Sequence, residues 1–161
     1  MKLIIPFLLA IFLIFAVRPA SAETPAARCA GLGTSNTLLP VPEALAGEVN
    51  AVFGTAMPAA MVAATTVYRC AGGQVMVCTV GANLPCGPAD ASRVPNAGEI
   101  AWCKDNRDAD FIPAYATGHD TIFAWRCRGG APGIAKQILD VDAEGFIKQF
   151  WKPLGPETVT P

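Results

Sequence analysis

Histidine is almost missing from this chain: His119 is the only one among 161 residues. A zinc site built from several histidines is therefore excluded, and any imidazole acting as a general base has to be this one. No C-x-x-C pair occurs, which removes a thioredoxin-like redox centre, zinc-ribbon spacing and covalent c-type haem. No serine stands in G-x-S-x-G, and neither a phosphate loop nor a dinucleotide fingerprint is present. No cofactor is expected. Charge is also sparse, at 16 % of residues, with 12 Lys and Arg against 13 Asp and Glu. A chain without a basic excess has no electrostatic footprint for nucleic acid and no attraction to anionic lipid.

The first residues supply what the rest lacks, a long apolar run. Lys2 gives one positive charge, Leu3 to Val17 is rich in Leu, Ile and Phe, Arg18 and Pro19 end the run, and Ala20-Ser21-Ala22 offers small side chains at a cleavage site. These are the three parts of an export signal. The run contains Pro6 and falls short of the roughly 20 apolar residues of a spanning helix, so cleavage is expected rather than anchorage. Residues 1–22 are read as the signal, and the mature chain is expected to start at Glu23 in a bacterial periplasm or outside the cell, without a stable membrane span.

Cys29, Cys70, Cys78, Cys86, Cys103 and Cys127 all lie beyond that point. Six cysteines in an oxidising compartment imply three disulfides, with fifteen possible pairings. The remaining length is enough for one domain with its own core, which the bridges would reinforce.

Residues 23–42 carry Pro, Gly, Ser and Thr without an apolar period and read as an extended arm tied down by Cys29. Residues 43–161 read as a single disulfide-rich α+β domain. Pro42 and Glu43 suit a helix start, Leu45, Val49, Val52 and Phe53 share one helical face with Glu48 and Asn50 turned outward, and Gly54 is a natural stop. A second short helix is expected near Pro58. Thr66 to Val80 forms the best hairpin, turning at Gly72-Gly73. Gly81 to Asn96 is a loop pinned by Cys86, and Ala97 to Asn106 is a short helix. Phe111 to Tyr115 looks extended, and Thr121 to Arg126 is a strand ending at Gly129-Gly130. Ile134 to Val141 and Phe146 to Trp151 read as two more strands, joined by a four-residue turn over Asp142 to Gly145. The expected fold is α+β: one antiparallel sheet of four to six strands with an N-terminal helix and a shorter middle helix.

Two stretches echo each other. Tyr68-Arg69-Cys70-Ala71-Gly72-Gly73 and Trp125-Arg126-Cys127-Arg128-Gly129-Gly130 share an aromatic-Arg-Cys-x-Gly-Gly pattern, 57 residues apart. If the two strands pair, Arg69, Arg126 and Arg128 share a face and form an anion or carboxylate site. The stretch Tyr68-Arg69-Cys70-Ala71-Gly72-Gly73-Gln74-Val75 also resembles the opening strand and turn of the periplasmic inhibitors of C-type lysozyme, a family of small disulfide-bonded β-barrels. The likeness covers eight residues; the rest of that pattern is absent, and six cysteines exceed what such a barrel needs.

His119 precedes Asp120, which invites a general-base reading, but neighbours on an extended chain point apart and no free nucleophile accompanies them. Asp105, Asp108 and Asp110 crowd one turn. Asp140, Asp142, Glu144 and Gly145 begin like an EF-hand loop, but Trp151 stands where the loop needs a bidentate Glu. Both clusters read as solvated turns, and no metal is expected. Two function classes remain. One is an exported noncatalytic protein, a binding, inhibitor or accessory-subunit protein with a protein partner in the cell envelope. The other is a small extracytoplasmic hydrolase using His119 with a carboxylate, or a carboxylate pair drawn from Asp105, Asp108, Asp110 and Asp120.

Overall fold

Local signals set the helix ends in this computed structural model, which describes residues 23–81 and 84–155. The expected signal segment, residues 1–22, lies outside the described residues. The Thr24 hydroxyl accepts a hydrogen bond from Ala27 N, Pro25 fills the first turn, and Gly33 ends α1 (Pro25–Leu32) with φ 71°. Strand β1 (Ser35–Pro40) follows. Residues 23–42 are thus a helix and a strand rather than an extended arm. The helix buries only Pro25 and Cys29, four residues apart, so eight residues never repeat the apolar period that would announce it.

A single 3-10 turn, Glu43–Leu45, leads into α2 (Ala46–Phe53), which stops at Gly54 in the left-handed region. Val49 is buried, with Leu45, Val52 and Phe53 packed beside the core. Asn50 is half-buried instead of turned outward: its amide donates to Met57 O and its oxygen accepts from Met57 N and the Thr55 hydroxyl, pinning the loop. Pro58 then caps α3 (Ala59–Thr65).

Strands β2 (Thr66–Ala71) and β3 (Gln74–Thr79) form the expected hairpin. Gly72 and Gly73 both take positive φ, 58° and 81°, as a two-residue turn between right-twisted strands requires. Further along come α4 (Ala97–Asp105), α5 (Ala114–Thr117), β4 (Phe123–Arg128), β5 (Ala131–Gln137) and β6 (Lys152–Leu154). The architecture is α+β: an antiparallel sheet in the order β1-β2-β3-β6 and a second sheet of β4 and β5 alone. Among the described residues the four-stranded sheet is open between β1 and β6, so they do not form the β-barrel of the resembling inhibitor family.

Two stretches differ from their sequence reading. Of Phe111 to Tyr115, only Ala114 and Tyr115 enter a helix, α5, started by Pro113; residues 111–113 before it belong to no helix or strand. Phe146 to Trp151 is not a strand. It bends through a 3-10 turn at Lys148–Phe150, which lets Phe146, Ile147 and Trp151 all point inward, and only then does the chain pair with β3 as β6.

The disulfides are Cys29–Cys70, Cys78–Cys86 and Cys103–Cys127, and among the described residues no cysteine is free. Three bridges point to an oxidising environment. Among the described residues, no helix is long and apolar enough to cross a membrane.

The sequence echo proves to be a structural repeat. In each copy a helix carries a cysteine bonded to the first strand of a glycine-turned hairpin, Cys29 of α1 to Cys70 of β2 and Cys103 of α4 to Cys127 of β4. Gly73 N donates to Gly33 O just past α1, and Gly130 N donates to Arg107 O just past α4. Gly72 N donates to the Thr34 hydroxyl, and Gly129 N to the Asp108 carboxylate. Ser35 pairs with Cys70, while Cys127 N donates to Ala109 O. Each partner on the helix side is displaced from its counterpart by one constant offset. The repeats differ in the length of chain between their cysteines, 41 against 24 residues; in the first copy that stretch holds α2 and α3.

Each repeat has its own core. Cys29, Val41, Val49, Tyr68, Cys70 and Val77 centre the first, and Cys103, Ile112, Ile122, Phe123, Trp125 and Cys127 the second. A third cluster of Cys78, Cys86, Phe146 and Trp151 lies on the other face of β2 and β3, and Phe150 joins it to the second core.

Candidate functional site

The three arginines proposed to share a face do not meet. Their strands belong to separate sheets, so the pairing that would bring them together is absent. Arg69 is 1 % exposed. It lies on the outer face of β2, with its guanidinium carbon 4.2 Å from the centre of the Phe146 ring and 4.7 Å from that of Trp151. Its Nη2 donates to Asp142 Oδ2, and Nη1 lies 3.9 Å from Glu144. The acidic turn that begins like a calcium loop therefore holds a cation of the chain's own. Asp142 also shapes that turn, because its Oδ1 accepts from Glu144 N and Phe146 N. Sequence reasoning missed this cluster because Arg69 and Asp142 are 73 residues apart and no local pattern links them.

Arg126 holds the matching place in the second repeat. It is exposed and, among the described residues, its side chain has neither an ion pair nor a hydrogen bond. Arg128 is half exposed and donates to Asp110 at 3.0 Å. Of the acidic group at residues 105–110, Asp108 accepts from Gly129 N, so two of the three carboxylates serve the second hairpin turn. No group of three His, Cys, Asp or Glu among the described residues is arranged to hold a metal.

His119 lies beside a hollow of about 470 Å³. Phe111, Phe123, Trp125, Ile138 and Phe150 stand on its apolar wall, and His119 is the one ionisable side chain on it. Phe111 is 66 % exposed and Ile138 49 %, so the hollow opens on an apolar rim. Asp120 is not part of the wall; its Oδ1 folds back toward Gly118, and its backbone O accepts from Asp90 N. His119 and Asp120 share no hydrogen bond. A second hollow of about 500 Å³ lies on another side of Phe150, with Phe53, Met57, Val80 and Leu84 on its wall and Lys152 as its one charge.

The second repeat is held by α4, whose start is a full capping box. Asn96 accepts from Glu99 N at 2.9 Å, Glu99 Oε2 accepts from Asn96 N at 2.7 Å, and the Asn96 amide donates to Thr117 O. Burial pushes the Glu99 carboxyl above its usual range; the Asn96 hydrogen bond pulls the other way, and the Asp90 charge adds to the rise. This carboxyl is structural: it fixes α4, and through Cys103 it fixes β4, the floor of the His119 hollow.

Comparison with family models, curated proteins and solved structures matches none of them to this chain.

Proposed function

We propose that the protein is an exported, noncatalytic binding protein of the bacterial periplasm or cell exterior, and that its surface for a protein partner is the rim of the His119 hollow. The observation that carries this reading is the chemistry of the wall. A hydrolase needs an acid to orient the imidazole and a nucleophile or activated water beside it. Here one imidazole stands among aromatic and aliphatic side chains, and its neighbour Asp120 is turned away. Exposed Phe111 and Ile138 beside it are the composition of a contact surface. The three disulfides support a life outside the reducing cytoplasm.

The test is a capture experiment in periplasmic extract with a cross-linker placed at Ala114, which is exposed and lies on the wall of the hollow. One defined partner is expected, identified by mass and lost with Phe111→Glu. In parallel, the purified protein and its His119→Ala variant are screened on peptidoglycan, ester and phosphoester substrates. A turnover that vanishes with His119→Ala would replace this reading with the hydrolase.

A further inference from the structure

The two repeats match in helix, disulfide, hairpin and turn, and they differ in what covers the outer face of the hairpin. On the first, residues 142–151 close over Arg69, placing two carboxylates and two aromatic rings around its guanidinium. Val67, two residues before Arg69, packs against the same Phe146 and Trp151. On the second, the counterparts are Arg126 and Ala124. Arg126 has Gly133 opposite it across the pair, and Ala124 has Lys136. Among the described residues, neither Arg126 nor Lys136 has an acidic partner. Ala124 is half-buried and lies on the wall of the His119 hollow with Phe111 and Ile138. Arg126 does not itself line the hollow; it stands two residues along β4 from Ala124, which does, and it holds the place that in the first repeat is covered by acidic and aromatic residues of the same chain.

We propose that the outer face of β4–β5 docks a segment of a partner protein in which acidic residues precede an aromatic, as Asp142 and Glu144 precede Phe146. The proposal rests on the binding-protein reading above and names the chemistry of the partner. Three features select that chemistry. Two cations without partners, Arg126 and Lys136, ask for carboxylates. Gly133 opposite Arg126 has no side chain to cover it, and the arginine is exposed, as stacking by a ring or pairing with a carboxylate requires. The hollow that Ala124 helps to line, about 470 Å³ in all, has room for an aromatic side chain. The first repeat shows that the same scaffold holds such a segment.

The chain supplies its own probe, a synthetic peptide with the sequence Asp140 to Lys152. It is titrated into the disulfide-intact, isotope-labelled protein while backbone amide shifts are followed. Shifts are expected at Phe111, Ala124, Arg126 and Gly133, with an affinity that falls as salt is raised. Arg126→Glu is expected to weaken binding about tenfold or more, as is replacing the peptide's Asp142 and Glu144 by their amides, while Arg126→Lys retains part of it. Arg126 is exposed, so these variants are expected to fold; Arg28→Glu on α1 is the control that leaves binding unchanged. No shift at millimolar peptide, or shifts that persist undiminished in Arg126→Glu, overturns the proposal. So do shifts confined to Arg69 and Trp151, which would show exchange with the native segment. A polyglutamate that binds as tightly as the peptide overturns the aromatic requirement. Self-association that Arg126→Glu abolishes gives the face to a second copy instead. Capture of one identified partner that survives Arg126→Glu leaves the binding reading standing and removes this face from it.

Discussion

Replacing Arg69 by methionine keeps an unbranched stem beneath Phe146 and Trp151 and deletes the charge. The guanidinium is 1 % exposed, and its Nε and Nη1 make no hydrogen bond to the described residues. Its charge is balanced by Asp142, by Glu144 at 3.9 Å and by the faces of two rings. In Arg69→Met the two carboxylates are left behind, but their side chains keep 21 % and 26 % exposure and can turn to water. The loss is then chiefly the two ring contacts and the coulombic attraction, about 2–3 kcal/mol. Asp142→Asn works from the other side. The amide oxygen still accepts from Glu144 N and Phe146 N, so the turn survives, but a fully buried cation loses its nearest charge. Removing one partner of a buried pair typically costs about 3–5 kcal/mol, and the low end is expected because Glu144 remains. With both changes made, neither charge is stranded. The double variant is expected to be about 2 kcal/mol more stable than the sum of the single effects.

The assay is urea unfolding with disulfides intact, read by tryptophan fluorescence, which Trp151 makes sensitive to this cluster. With a slope of about 1.5 kcal/mol per molar, Asp142→Asn is expected to move the midpoint down by about 2 M at constant slope. High salt is expected to leave the effect in place, because the pair is buried. Arg128→Ala, which breaks an exposed pair with Asp110, is the contrast, within about 0.5 kcal/mol of wild type. Single effects that add to within about 0.5 kcal/mol would refute the reasoning, since they would mean that the rings alone carry Arg69.

Glu99→Gln keeps an acceptor for Asn96 N and removes a carboxyl that burial holds above its usual range. A raised acid makes the folded chain bind more protons than the unfolded one, so wild-type stability is full below the unfolded value and declines as pH rises through the folded one. The variant is therefore expected to gain on wild type at pH 7 relative to about pH 3, and an equal difference in melting temperature at both would count against the assignment. Gly98→Ala would put a Cβ 2.5 Å from the backbone oxygen of Ala116, so α4 and α5 must part; a loss of about 1–3 kcal/mol is expected by thermal unfolding, and a neutral result would show that the two helices are not held at that distance. In the chain-entropy picture, opening Cys29–Cys70 (separation 41) removes about 4 kcal/mol and opening Cys78–Cys86 (separation 8) about 2.5, so paired serine variants should rank in that order by urea midpoint. Alkylation of the denatured, unreduced protein should add no label.

Legibility in the sequence followed the distance over which each signal acts. Signals within a few residues were readable: Gly54 as a stop for α2, Pro58 as a start for α3, the paired glycines of both hairpins, and Asp142 with Gly145 around a turn. The hairpin of β2 and β3 and the helix α4 fell where periodicity put them. What depends on distant partners was not readable. α1 repeats no apolar period because it buries one turn only, and β1 is a strand because β2 lies beside it. Phe146 to Trp151 has a strand's composition, but Phe146 and Trp151 need a bend between them to converge on one buried guanidinium. The candidate site divided in the same way. The Arg-Cys-x-Gly-Gly echo was visible, and so was His119, but nothing local announces that one arginine of the echo is buried and the other exposed.

That difference between Arg69 and Arg126 also bears on which copy of the repeat can do anything new. Burying a guanidinium is costly unless its charge and hydrogen bonds are met, so a hairpin that carries arginine on its outer face either recruits a cover or leaves the face in water. The first hairpin recruits one from its own chain, and the cover brings β6 into register beside β3, extending the sheet to four strands. Its outer face is then used up by folding. The second hairpin stays two strands wide, kept in place by Cys103–Cys127 and by the hydrogen bonds at its glycine turn, so it does not need a cover to fold. Arg128 bonded to Asp110, and Arg107 donating to Gly129 O, hold the turn end and leave Arg126 at the centre. A surface that folding does not require to be covered, on a scaffold whose twin accepts a cover, is where a partner can add contacts without first displacing any.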